Sequence, residues 1–221
     1  MNIRTTLATF FTVAATAAAL AQAPAAQAPA GTVPAVTLPA SPRGSAAVQV
    51  GGKWATVNGQ QRYEGGAWIT VDYGRPLLRG RTNIFGTGAD YGKFVNDGVS
   101  VWRAGANDTT RLTTQRALVI GKTVLPPGVY NVFVELKENA WTLVMSTQPV
   151  QPKYDPNDKV LLYGSYNYDP KFDVLRTPMR VASSPVNVEQ FTINFVDVTD
   201  TRLSMVMSWE RTVATIDFLV K

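Results

Sequence analysis

The chain has 221 residues, of which 45% are hydrophobic, a formal net charge of +5, and neither histidine nor cysteine. Without imidazole or thiolate, Ser-His-Asp triads, Cys-His nucleophiles and histidine general bases are excluded, and so are structural zinc, histidine-ligated haem and copper sites. The basic residues are scattered singly, with no Lys/Arg run and no basic helix, which reads as solubility charge and not as a nucleic-acid surface.

Met1 to about Ala21 reads as a signal peptide. Arg4 is the positive n-region, Leu7 to Leu20 is apolar, and Ala19-Leu20-Ala21 offers small residues at the positions a signal peptidase reads. The apolar run is short for a bilayer, which takes about 20 residues, so no membrane span is expected. No cysteine follows for a lipid anchor. The expectation is export to the periplasm or the extracellular space. Gln22 to Ala40 has no charged residue, and Pro24, Pro29, Pro34 and Pro39 recur among Ala, Gln and Thr. Proline fixes φ and lacks an N–H, so this tract is expected to be a semi-extended linker.

A single folded domain is expected over residues 41–221, which is chain enough to bury a core without disulfides. Its dominant period is two. Ile69, Val71 and Tyr73 form one apolar stripe; Tyr130, Val132, Val134 and Leu136 form another. Phe191, Ile193 and Phe195 follow, then Leu203, Met205, Met207 and Trp209, then Ala214, Ile216, Phe218 and Val220. Such alternation puts one face of each strand on a core. Between the stripes, Ile120-Gly121-Lys122-Thr123 reads as a tight hairpin, and Pro126-Pro127-Gly128-Val129 as a type II turn with Gly128 at positive φ. Glu138-Asn139-Ala140 and Asp200-Thr201 separate further strands. The pattern predicts an all-β fold of about ten short strands, an antiparallel β-sandwich or jelly-roll-like arrangement, with a closed barrel as the alternative. Two long loops are expected, Thr87 to Gly98 and Thr147 to Lys159, and a Tyr-rich segment with Tyr163, Tyr166 and Tyr168 follows the second.

Neither Ser-x-x-Lys nor Gly-x-Ser-x-Gly occurs. Gly121-Lys122-Thr123 echoes the end of a phosphate loop, but residue 116 is Arg, and Pro126 and Pro127 forbid the helix that should follow. Asp155-Pro156-Asn157-Asp158 offers oxygens to Ca²⁺ but lacks the glycine and distal Glu of an EF-hand, so it reads as a solvated turn. No cofactor is implied. Carboxylate, Tyr, Lys and Arg chemistry remains.

Val71-Asp72-Tyr73-Gly74-Arg75-Pro76, Arg79-Gly80-Arg81, Ile84-Phe85-Gly86 and Trp102-Arg103-Ala104-Gly105-Ala106-Asn107 carry a family resemblance. Leu125-Pro126-Pro127-Gly128-Val129-Tyr130, Trp141, Tyr166-Asn167-Tyr168, Leu175-Arg176 and Trp209-Glu210 continue it. In this order they resemble the secreted bacterial family of domain of unknown function 2911. The resemblance implies an exported β-rich domain and brings no activity with it. Gly74 stands where family members often have Ser, and extra residues fall around Gly51 to Gly66, Phe94 to Ser100 and Thr147 to Leu162.

The polar motif residues allow two readings. If Asp72, Arg75, Arg81, Trp102, Arg103 and Asn107 converge, they form a hydrogen-bonding, cationic pocket for a glycan or a small anionic ligand. The other reading is a buried Asp–Arg network that fixes turns. Trp209 shares a stripe with Leu203, Met205 and Met207 and reads as core. The function expected from the sequence is therefore a ligand-binding module. The alternatives are a carboxylate-dependent hydrolase of envelope polymers and a structural envelope protein without a ligand.

Overall fold

The computed structural model describes residues 37–221; the expected signal peptide and nearly all of the expected linker lie outside the described residues. Among the described residues there are twelve strands. The first four are β1 (Arg43–Val50), β2 (Lys53–Val57), β3 (Gln60–Glu64) and β4 (Ala67–Gly74). A short helical turn, α1 (Lys93–Asn96), precedes β5 (Arg111–Thr114), β6 (Leu118–Ile120) and β7 (Thr123–Leu125). Then come β8 (Gly128–Glu135), β9 (Thr142–Ser146) and β10 (Asp173–Pro178), followed by the long hairpin of β11 (Arg180–Val196) and β12 (Arg202–Val220). No helix of the described residues is long and apolar enough to cross a membrane.

Two antiparallel sheets form the sandwich, in the orders β1-β4-β5-β8-β9-β10 and β11-β12-β6-β7. The period-two stripes explain why they pack. Ile69, Val71 and Tyr73 from β4, Tyr130, Val132 and Val134 from β8, and Leu203, Met205, Met207 and Trp209 from β12 are all buried in one shared core. Alternation thus supplies the inner faces from local sequence alone. The sheets do not close into a barrel.

Polar ties cross between the sheets. The Tyr73 hydroxyl donates to the Ile193 carbonyl at 3.3 Å and accepts from the Ile193 N–H at 2.8 Å. Beyond β4 the chain crosses to the second sheet, where Leu78 N–H donates to Glu189 O (2.8 Å) and Phe191 N–H to Pro76 O (2.9 Å). The β11–β12 register shifts between Val188 and Thr192, so β11 exchanges its partner strand for this crossing segment.

Three local features differ from the sequence expectation or were absent from it. Gly128 does not occupy a positive-φ turn; it pairs with Thr114 as the first residue of β8, because the two prolines before it already redirect the chain. Residues 53–64 form a separate hairpin turned by Asn58-Gly59, both at positive φ (51° and 76°), the signature of a type I′ turn. The outer face of the first sheet is not wholly solvated either. Phe133 and Val144 pack there with Val101 and Leu162 in a second small core. The expected hairpin at Gly121-Lys122 is present, with Ile120 paired to Thr123.

On β12, Asp217 accepts from Arg180 and from Ser204 Oγ (2.7 Å), and these bonds hold its carboxyl at about 2. A carboxylate depressed in the folded state adds stability that is present above its unfolded value and is lost as pH falls through the folded one. The side chain is 55% exposed, so solvent screens the effect and the contribution is small. Asp217→Asn is expected to lower the melting temperature slightly at neutral pH and to flatten its fall between about pH 4 and pH 2, as read by thermal melts across that range.

Candidate functional site

The site begins with one loop. The backbone of Trp102 joins β8 through paired hydrogen bonds to Val134, each 2.8 Å, so its indole enters the core. Its Nε1–H then donates to Gly105 O at 3.1 Å, and Thr110 Oγ1 to Ala104 O at 2.9 Å. These bonds wind the chain tightly, with φ of 46° at Ala104 and 63° at Asn107. The loop lies directly on β4: a Cβ at Gly74 would sit 1.9 Å from Ala106 O, and one at Gly105 would sit 2.8 Å from Gly74 O. Two glycines therefore permit a backbone-on-backbone contact that any side chain would block.

Winding Trp102 inward leaves Arg103 on the other side of the loop. Its side chain is only 11% exposed. Nη1 donates to Asn107 O at 3.1 Å, the guanidinium lies 5.3 Å from the centre of the Tyr166 ring, and Nη2 is 3.7 Å from Asp97 Oδ2. Tyr166 reaches this position on a tight turn closed by backbone bonds between Tyr163 and Tyr166. Gly164 in that turn has φ 61°, and a Cβ there would fall 2.6 Å from Arg103 Nη1. The Tyr166 hydroxyl donates to Asp97 Oδ2, and this bond, helped by burial, raises its pKa above the ordinary tyrosine value.

Across from this wall, Arg81 lies over the Phe94 ring at 5.5 Å and donates through Nε to Leu78 O at 2.9 Å. Between the walls is a cleft of about 350 Å³, bordered by Arg81, Phe94, Asp97, Arg103, Asn107 and Tyr166. The buried Trp102 and Trp209 also line it. Trp209 differs from its neighbours in one respect. Trp141 donates to the Tyr91 hydroxyl at 2.8 Å and Trp102 to Gly105 O, whereas Trp209 Nε1–H has no acceptor among the described residues. Its neighbour Glu210 (φ 52°) accepts from the N–H groups of Asn83 (2.6 Å) and Ile84 (3.1 Å), which pins the loop carrying Arg81.

Of the six residues singled out from the sequence, Arg81, Trp102, Arg103 and Asn107 meet at this cleft. Asp72 and Arg75 do not line it. Asp72 is exposed on β4, in register with Ser45 and Arg111. Arg75 is a tie between sheets: it donates to Phe191 O (3.4 Å) and Thr192 Oγ1 (3.1 Å) and pairs with no Asp among the described residues, so the expected buried Asp–Arg network is not formed there. The sequence reading missed Phe94, Asp97 and Tyr166 as site residues. The first two fall within the extra segment Phe94 to Ser100, and Tyr166 stands in the Tyr-rich segment, where nothing in spacing marked which ring faces the motif. Trp209 is core, as read, and also lines the cleft.

A larger groove, about 670 Å³, runs past Glu135, Tyr168, Asp173 and Arg176. Its charges pair largely with one another, while Asp173 Oδ1 is buried with no partner among the described residues. Asp173 Oδ2 accepts from Tyr168 (2.6 Å) and Arg176 (2.8 Å), and Glu135 accepts from Lys137 (2.9 Å) and Arg176. The Lys137 bond is the main cause that pushes Glu135 below the usual carboxylate range. Asp155 and Asp158 likewise serve the chain, capping the N–H groups of Asn157, Val160 and Leu161 at 2.8–2.9 Å. Among the described residues no group of three carboxylates is placed to hold a metal ion.

A family model described as "Protein of unknown function (DUF2911)" matches residues 55–218. The chain belongs to this family. No curated protein and no solved structure matches it. The DUF2911 match spans both walls of the cleft, from β4 through Arg81, Arg103 and Tyr166 to Trp209. Within it, Gly74 is the glycine at which an added Cβ would meet backbone most closely, 1.9 Å from Ala106 O. Gly74→Ala is expected to cost about 1–3 kcal/mol by overpacking, a melting temperature lowered by several degrees in a thermal scan.

Proposed function

We propose that the domain is a binding module whose cleft takes a small anionic ligand, exported as the Met1–Ala21 pattern implies. The observation that carries the reading is Arg103, whose guanidinium is only 11% exposed yet borders the cleft together with a second guanidinium, Arg81. Arg81 and Arg103 supply two positive charges against the single carboxylate, Asp97, among the described residues that border the cleft. Charge-assisted bonds from guanidinium to an oxyanion are the stronger kind, and the low exposure of Arg103 limits screening.

Neutral sugars are less well served. One face of the Tyr166 ring and one face of the Phe94 ring are occupied by Arg103 and Arg81, which removes stacking surface. Hydrolysis by two carboxylates finds less support still. It needs a pair with one carboxyl held protonated near neutral pH, and in the larger groove Glu135 is shifted in the opposite direction.

The test is a thermal-shift screen of the whole chain against small carboxylates, phosphate esters, acidic sugars and neutral sugars. A ligand at 100 times its Kd stabilises by about 2.7 kcal/mol. Anionic compounds are expected to raise the melting temperature, and Arg103→Gln to remove the shift. Trp209→Phe, which leaves a cavity in the core, is expected to lower the melting temperature while the ligand-induced shift persists. If no anionic class moves the melting temperature, or if Arg103→Gln responds like the parent, the reading is wrong.

A further inference from the structure

Asp97 is the one feature of the cleft that opposes an anionic ligand, and its geometry explains why it is there. The residue follows α1 with φ 53° and is 59% exposed, yet its carboxylate turns inward. One oxygen, Oδ2, accepts the Tyr166 hydroxyl and faces Arg103 Nη2. These two donors come from distant parts of the chain, the Trp102–Asn107 loop and the turn at Tyr163–Tyr166. They converge on a single carboxylate oxygen.

The Arg103 contact is loose. At 3.7 Å it exceeds the 2.7–2.9 Å of a charge-assisted hydrogen bond, so it is a Coulombic contact without a well-formed bond. With Asp97 59% exposed and no hydrogen bond formed, the pair holds Asp97 weakly, by about 1 kcal/mol, which a better-seated competitor can exceed. Arg103 itself does not depend on Asp97 for its position. The Asn107 carbonyl, the Tyr166 ring and the close backbone of Gly164 hold it.

We infer that the cleft is a carboxylate site and that Asp97 is its internal occupant, which leaves the Arg103–Tyr166 seat when a ligand carboxylate takes it. The inference rests on the reading of the cleft as an anion site and narrows it to a ligand class. The seat offers two donors to one planar group of single charge. A phosphate monoester brings three oxygens and about −1.5 to −2 charge at neutral pH, which two donors beside a resident carboxylate do not match. Asp97 acts as a threshold: a weak anion does not displace it, and a carboxylate that also fills the rest of the cleft does.

The experiment is calorimetric titration of the whole chain with succinate, benzoate and inorganic phosphate, in the parent, Asp97→Asn, Asp97→Ser and Arg103→Gln. Removing the internal carboxylate is expected to tighten succinate or benzoate binding about 3- to 10-fold, with phosphate gaining less, and Arg103→Gln to abolish all of it. The hydroxyl of Tyr166 provides a second readout through ¹³Cζ-tyrosine NMR. Its pKa should fall in Asp97→Asn and rise again when the carboxylate probe saturates the seat. Unchanged or weaker carboxylate binding in both Asp97 variants overturns the exchange, while Arg103-dependent binding in the parent would leave the anion site standing. Binding of phosphate alone overturns the carboxylate class. If no probe binds any variant, both this inference and the anion reading fall.

Discussion

Trp102 is the residue on which the rest of the structure turns. Its backbone belongs to the first sheet through Val134, its indole lies among Phe85, Trp141, Phe191 and Trp209, and its Nε1–H reaches back to Gly105. A buried indole N–H needs an acceptor, and here the acceptor is supplied by folding the next three residues back over the ring. Core packing and site geometry are therefore one event. The side chain that fills the core obliges the chain to wind, and the winding points Arg103 into the cleft.

The same contact explains the glycines around it. Gly74 and Gly105 allow β4 and the loop to touch backbone to backbone, with Ala106 O in the space a Cβ would occupy. Gly164 does the same for the turn that carries Tyr166 against Arg103. None of these positions is a ligand group. Each removes volume so that charged and aromatic groups from separate loops meet at 3–6 Å, where guanidinium–ring and charge-assisted contacts have strength.

The electrostatics follow from this crowding. Arg75 and Arg103 look alike in sequence, each close to a glycine in a turn motif, yet their surroundings give them different work. Arg75 meets a carbonyl and a hydroxyl of β11 and joins the sheets. Arg103 meets one carbonyl, a ring and a loosely held carboxylate, and borders the cleft. In the larger groove, Glu135 and Asp173 both pair with Arg176.

By itself the sequence determined the all-β class, the inner faces of β4, β8, β11 and β12, the hairpin at Gly121-Lys122, and the absence of imidazole and thiol chemistry. Each of these is local: a side-chain period of two, a turn residue, or a residue type that is missing. The Asn58-Gly59 turn is local in the same way. Tertiary structure alone decided that Phe133, on the nominally outer face, would be buried under Val101 and Leu162, and that Arg75 would be spent on β11. It decided, too, that Phe94, Asp97 and Tyr166, separated from Arg103 by as many as 63 positions, would complete the site. Strand periodicity fixes which way a side chain points from its own backbone. It carries no information about which distant loop will lie opposite, because that depends on how the sheets stack and on how closely glycines let the loops approach.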